Sequence, residues 1–480
     1  DKPEAKFLRQ AIRFVNNRGF EAYCTSIDCM AVAYAIDPSI VETFEGHVGV
    51  ETKDGLTLGM TVLDARHHFV WKQLPVVHIG RKADHAKFLS CVTAAADGIG
   101  TAVTQERGEK TMYDWQVKLF SKEKLYLAGP ECFYTNGYTL WDAMRRKAEY
   151  NGFGVTMPSD NQLDMSSPDL RDHAKAIFQN CANCMNESTA ILVDLENFRG
   201  AEPDGGSIYE LGMAYARGMR CYAYTRDKRA LTWKVQVSHL NNGIVCGPDD
   251  KPLPYAELPF APAIVGACKV IEGDFDDCLN LFMTELNEEC KNETLGIKVQ
   301  PKPILPAVPH EKPLVYLAGF ERYDEDAAEK YNEMKAICAK YGFDAVSPID
   351  MVRNDIVVDS DNPYEVAAQL FNRYQQHVRD CDIVLANLND FRGYEPSNDV
   401  SFECGMGYQL GKKLFGYMDD VTRMRERIPN YGETREFRDE CGRNAENFDY
   451  PINLMFSGSM PIFENSSFEA VVKQMVEALK

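Results

Sequence analysis

Short, continuously apolar runs alternate with amphipathic stretches along most of the chain. "KLYLAG" (124–129), "FGVTM" (153–157), "AILVDL" (190–195) and "RCYAY" (220–224) are too short for helices and apolar on both faces, so they read as buried strands. Between them, "TLWDAMRRKAEYNG" (139–152) and "IYELGMAYARGM" (208–219) carry helical periodicity, the first ending at a glycine. Strands separated by helices predict a parallel sheet covered on both faces. In such open sheets a ligand sits outside the carboxyl ends of the strands. The loops that follow "YLAG", "VTMPSDN" and "VDLENFRG" are therefore the ones to watch.

The pattern occurs twice. "EKLYLAGPECFY" (123–134) matches "KPLVYLAGFERY" (312–323), and "YNGFGVTMPSDN" (150–161) matches "KYGFDAVSPIDM" (340–351). "STAILVDLENFRG" (188–200) matches "CDIVLANLNDFRG" (381–393), and Glu210 pairs with Glu403, 193 positions on. One domain of about 170 residues is duplicated. The expected division is 119–298 for the first repeat, a proline-rich linker "VQPKPILPAVPHEKP" at 299–313, and 314–480 for the second. Residues 1–118 lie outside the repeats and read as a separate α/β domain of unassigned role. Its adjacent His67 and His68, if on a strand, point to opposite faces and make a poor metal pair.

Composition narrows the classes. The 480 residues are 45% hydrophobic and 26% charged, as in soluble globular domains, and the length predicts several of them. A net charge of −20 opposes binding to nucleic acid or an anionic membrane and suits a small neutral ligand. No apolar run approaches the roughly 20 residues needed to span a bilayer. Fifteen scattered cysteines suit reduced thiols, and with no signal-peptide pattern the expected location is cytoplasmic. "CANC" (181–184) is the lone C-x-x-C and reads as a helix flank rather than a metal site; no metal and no cofactor are expected.

Two loops carry candidate chemistry. In "FRGAEPDGGSIYELGMA" (198–214), Asp204 and Glu210 bracket a glycine-rich turn into a helix, which places Glu210 in its first turn. Ser207 and Glu210 also form S-x-x-E, a capping box, the reading that spacing alone favours. That box leaves Asp204 unexplained. In "PSDNQ" (158–162), Asp160, Asn161 and Gln162 offer carboxylate and amide groups for hydroxyls and a heterocycle, although they are also ordinary turn formers.

Taken in order, "YLAG", "PSDNQ", "FRG.EPD.G....ELG.A" and the later "PINLM" resemble the nucleoside 2-deoxyribosyltransferases, over both repeats and not the N-terminal segment. The resemblance implies a five-stranded, doubly wound, flavodoxin-like α/β domain that exchanges the base of a 2-deoxyribonucleoside for a free nucleobase. It implies Glu210 as nucleophile, giving a covalent deoxyribosyl-enzyme with overall retention, and Asp204 as the acid that helps the base leave. Asp160 would hold the sugar hydroxyls, Gln162 the base edge, and Tyr126 would orient the glutamate; Gly129, Phe133 and Gly206 fall in the matching loops. Where the family carries a carboxylate or amide on the helix before the third strand, this chain has Cys181, with Asn180 beside it.

Family sites are completed by a neighbouring subunit through an N-L-M segment. Here "PINLM" (451–455) stands in the second repeat alone; the equivalent "PFAPAIVGA" (259–267) has no asparagine. The second repeat reads Ser397 where the first has Asp204. These complementary losses predict an intramolecular pseudo-dimer with one working site, built from Asp204 and Glu210 of one copy and Asn453 and Met455 of the other, with Glu403 retained for structure. Two other readings stand beside transfer. One is an N-glycosidase using water, although "AGPECFYTNG" lacks the serine- and glycine-rich phosphate loop of the nucleotide-cleaving relatives. The other is a non-catalytic nucleoside sensor.

Overall fold

The computed structural model describes residues 37–50, 61–64, 76–84, 87–88, 120–235, 239–241, 244–247, 252–294, 309–353, 355, 360–429 and 437–480. The chain forms two compact units, Asp1–Thr111 and Met112–Lys480. In the first, the described residues hold a three-stranded antiparallel sheet with Val41–Val50 between Thr61–Asp64 and Val76–Ala83. His67, His68 and most of the 299–313 linker lie outside the described residues.

The second unit contains both repeats, each a five-stranded parallel sheet between helices. In the first repeat the strands lie in the order Gly154–Thr156, Lys124–Ala128, Ala190–Asp194, Arg220–Thr225, Lys269–Glu272. The second repeats that order with Asp344–Val346, Leu314–Ala318, Ile383–Asn387, Lys413–Met418 and Ile462–Glu464. The central strands Ala190–Asp194 and Ile383–Asn387 are buried along their whole length, the reason their sequences are continuously apolar rather than alternating. This is the doubly wound arrangement, and the strand order reverses beside Lys124–Ala128, where the ligand crevice of such a sheet opens.

The repeats pack face to face through equivalent elements. Helix Gly205–Ala216 lies against helix Asn398–Gln409, each buried through its first ten residues. A Cβ on Gly212 would come 2.1 Å from the Phe402 carbonyl oxygen, and one on Gly405 would come 1.8 Å from that of Tyr209. Only glycine permits so close a backbone approach. Gly200 bridges Gly393, its own copy, in an antiparallel pair. A residue that pairs with its own repeat marks a local two-fold axis, as in an isologous dimer. The preceding Arg199 and Arg392 both take left-handed φ values, 51° and 55°. The tandem repeats thus form a pseudo-dimer within one chain.

Candidate functional site

Helix Gly205–Ala216 begins at Asp204, which is its N-cap: Asp204 Oδ2 accepts hydrogen bonds from Ser207 N at 2.8 Å and Ser207 Oγ at 2.7 Å. This corrects the capping-box reading. Ser207 is inside the helix rather than at its start, and Glu210, its sixth residue, lies in the second turn with its carboxyl turned to the sheet. Tyr126, on the first strand of the repeat, donates its hydroxyl to Glu210 Oε1. Burial pushes the Glu210 carboxyl up to about 8; Tyr126 pulls it down and neighbouring Asp204 pushes it further up. Burial also raises Asp204, against the two bonds from Ser207, and its Oδ1 is buried with no partner.

Glu210 and Asp204 face a cavity of about 460 Å³, at the carboxyl ends of the first repeat's strands. Tyr126, Gly129, Phe133 and Gly206 line it; so do Asn453 and Met455 of the second repeat. Asn453 caps the short helix Leu454–Ser457, with Oδ1 accepting from Met455 N at 2.8 Å, and its side chain rests on the bare Cα of Gly206. A Cβ on Gly206 would lie 2.8 Å from Asn453 Nδ2. Trp141, Tyr138, Met165 and Phe448 give the wall an aromatic and apolar side, and Asn161, Asn444 and Glu446 add polar groups. A larger groove of about 660 Å³ on the outside of the same interface is lined by Arg171, Tyr450 and Glu464 and holds neither candidate carboxylate.

Three expected binding residues are placed elsewhere. Asp160 is engaged by Arg145 and accepts from Met157 N at 3.0 Å, and neither it nor Gln162 lines the cavity. The nearby Asn161 does. Asn180 is buried and ties down that loop instead, donating to the Pro158 carbonyl at 2.6 Å and accepting from Asn161 Nδ2 at 2.7 Å. Arg145, on helix Gly137–Tyr150, is the partner that holds Asp160.

The second repeat repeats this frame and fills it. Tyr316 donates to Glu403 Oε1 at 2.8 Å, the counterpart of the Tyr126–Glu210 pair. Arg322 then grips Glu403 with both guanidinium nitrogens, at 2.6 and 2.7 Å, and lies 4.4 Å over the Tyr374 ring. Burial pushes the Glu403 carboxyl up and the fork pulls it back down. Counting from each "YLAG" strand, Arg322 stands at the position of Cys132; counting back to the third strand, Tyr374 stands at that of Cys181. Both thiols line the open cavity. The first site is therefore hollow because two small side chains replace a stacked Arg–Tyr pair. The Cys132–Arg322 correspondence was readable from the repeat alignment; that it decides whether space exists was not.

A second exchange is compensated across the interface. Asp399 occupies the place of Gly206, and Ala261 that of Asn453. Asp399 Oδ1 accepts from Ala263 N at 2.8 Å, supplying from the facing repeat the cap that Ala261 cannot provide.

Beneath Gly129, buried Glu131 and Asp194 form a carboxyl pair. Burial and the neighbouring Asp194 push Glu131 up to about 8, and burial pushes Asp194 up to about 6. The second repeat has Glu321 with Asn387, whose Nδ2 donates to the glutamate at 2.6 Å and needs no proton. An unfolded chain releases such protons near pH 4. From there to about pH 8 the folded state binds more protons, so stability falls as pH rises. Asp194→Asn, copying Asn387, should flatten this fall and raise Tm more at pH 8.5 than at pH 5; equal gains at both would refute the account.

The family model described as nucleoside 2-deoxyribosyltransferase matches residues 125–278 and again 315–455, together more than half of the chain. Residues 1–90 match the model described as inosine-uridine preferring nucleoside hydrolase. Among solved structures, a 2-desoxiribosyltransferase from Leishmania mexicana is 28% identical, over 34% of this chain and 97% of that one, with a TM-score of 0.28. A conserved protein from Enterococcus faecalis V583 is 19% identical over 35% of this chain and 98% of its own, with a TM-score of 0.23. An uncharacterized protein of Schizosaccharomyces pombe is 29% identical over 127 residues, 26% of this chain; the match spans 59% of the relative's length. Among the described residues no helix is long and apolar enough to cross a membrane, and no cluster of ligating side chains could hold a metal ion. With the model matched once in each repeat, this chain belongs to the nucleoside 2-deoxyribosyltransferase family and carries its domain twice.

Proposed function

We propose that the protein transfers 2-deoxyribose between nucleobases at a single site, through a covalent deoxyribosyl-Glu210 intermediate and with retention at the anomeric carbon. The observation that carries this is a buried carboxyl, held by Tyr126, facing a cavity with aromatic walls that the other repeat completes. Cleaving an N-glycosidic bond develops oxocarbenium character, which a carboxylate on one face stabilises and then traps. The departing base takes a proton from a carboxyl of the same wall, Asp204 being the one the resemblance implies. Phe133, Trp141, Tyr138 and Phe448 suit the face of a base, and Asn453 and Met455 act as the clamp from the second repeat.

No lysine, arginine or histidine lines the cavity among the described residues, whereas Asp204, Glu210 and Glu446 do. That balance favours an uncharged nucleoside over a nucleotide, whose phosphate would meet three carboxyls. Hydrolysis is the second reading, supported by the nucleoside hydrolase match over residues 1–90.

The test is product analysis of a 2-deoxynucleoside incubated with and without a second free base. A new β-deoxynucleoside that forms with the second base is the expected result, with the matching 5′-monophosphate a far poorer donor. Free base and free deoxyribose in equal yield under both conditions would identify a hydrolase instead.

A further inference from the structure

The cavity contains a third carboxyl that the repeats do not share. Glu446 reaches it from the second repeat on a segment pinned to the first: Asn444 N donates to the Phe133 carbonyl at 2.7 Å, and Arg199 donates to the Asn444 carbonyl at 2.5 Å. Glu446 Oε2 accepts from Leu454 N at 2.8 Å, beside the Asn453 cap, so the side chain is held by one oxygen only. The equivalent turn of the first repeat, closed by the Cys246–Pro252 bridge as this one is by Arg438–Asn444, carries Pro254 in its place. The carboxyl is thus present at the hollow site and absent at the filled one.

Resting on the transfer reading, we propose that Glu446 is the group that donates the proton to the departing base and recovers it from the incoming one. Asp204, the acid implied by the resemblance, also has a buried oxygen without a partner, but its other oxygen is taken twice by Ser207 at a helix start, which stabilises its anion against the rise that burial gives it. Glu446 has a single backbone donor, and an oxygen not bound to Leu454 N. It shares the cavity with Asp204, Glu210 and the thiols of Cys132 and Cys181, and Arg199 and Glu395 also act on it. Burial pushes it up to about 8, Asp204 adding to the rise, and burial raises Glu210 to the same level; the Tyr126 hydroxyl favours the anion on Glu210, so the reactive form is the one that keeps its proton on Glu446.

The step balances as follows. A Glu210 oxygen forms a bond to the anomeric carbon as the bond from that carbon to the base nitrogen breaks, its electron pair staying with the base. The Glu446 proton moves to the base, which leaves neutral. In the second half, a nitrogen of the new base attacks the anomeric carbon, Glu210 departs as carboxylate, and the proton lost by the incoming base returns to Glu446.

The test compares wild-type protein and Glu446→Gln, which keeps the oxygen that caps Leu454, on two donors. One is a 2-deoxynucleoside with a free base as acceptor; the other is p-nitrophenyl 2-deoxyriboside, whose leaving group needs no proton. Glu446→Gln should lower kcat/KM for the nucleoside by about 10²–10⁴-fold and for the nitrophenyl donor by only a few-fold. For the nucleoside, wild-type activity should peak near pH 8, falling above it as Glu446 ionises and below it as Glu210 is protonated, and the variant should lack the alkaline limb alone. Equal losses on both donors, or no loss on the nucleoside, would overturn the role of Glu446 and leave transfer standing. A wild-type protein that turned over neither donor would overturn the transfer reading and this proposal with it.

Discussion

Glu210→Ala should abolish turnover, lowering kcat by on the order of 10⁴–10⁶-fold, as loss of a nucleophile does elsewhere. Glu403→Ala should leave kcat per folded molecule nearly unchanged. The two glutamates occupy the same place in their repeats and each accepts a tyrosine hydroxyl, so the contrast rests on what else surrounds them. Glu210 opens onto a cavity with no cation in its wall among the described residues. Glu403 is 0% exposed, accepts from Tyr316 and from both terminal nitrogens of Arg322, and has the Arg322 guanidinium where a sugar would stand. Removing Glu403 strands a buried guanidinium, so its variant should instead lose about 3–5 kcal/mol of stability. Base release by chromatography and thermal denaturation separate the two effects. Equal losses of kcat in both variants would sink the one-site model.

Cys132→Arg combined with Cys181→Tyr should close the working site without harming the fold. The pair rebuilds in the first repeat the stack that fills the second, where Arg322 also anchors itself by donating from Nε to the Gly319 carbonyl at 2.7 Å. Tyr126, Gly129 and Glu210 match Tyr316, Gly319 and Glu403, so the acceptors that the new guanidinium needs are already in place. Turnover should fall by on the order of 10²-fold or more, because an occupied cavity admits no reacting geometry. Nucleoside binding, measured by calorimetry, should disappear with it, while Tm holds or rises. A double variant that still binds nucleoside would show that side-chain volume at these two positions is not what separates the repeats.

These expectations divide the site into parts of different legibility. The strands, their loops and the duplication follow from short-range pattern: a buried parallel strand must be continuously apolar, and a sheet of this kind presents its loops on one edge. Asp204 and Glu210 lie on such a loop and the helix that follows it, where spacing marked them as candidates; Tyr126, and the role of each of the three, came only with the resemblance. Asn453 was connected with them by the resemblance, and the contrast between "PINLM" and "PFAPAIVGA" showed which repeat supplies it. Even so, the cap was read onto Ser207, because S-x-x-E is a local rule and nothing local told that the helix starts three residues earlier, at Asp204.

The remainder depends on approaches between segments far apart in the chain. Asp160 looked free to bind a ligand until the fold set Arg145 beside it. Glu446 has no motif of its own; it enters the cavity because Asn444 is bonded to the Phe133 backbone of the other repeat. Asp399 reads as a stray acid, yet it replaces a missing asparagine by capping a helix across the interface. The sequence by itself determined which residue types stand at the ends of the strands, since that is set by periodicity and burial along a single element. Which of those ends is hollow was decided only by tertiary structure, because empty space belongs to no residue: it is what two cysteines leave where an arginine and a tyrosine would have stacked.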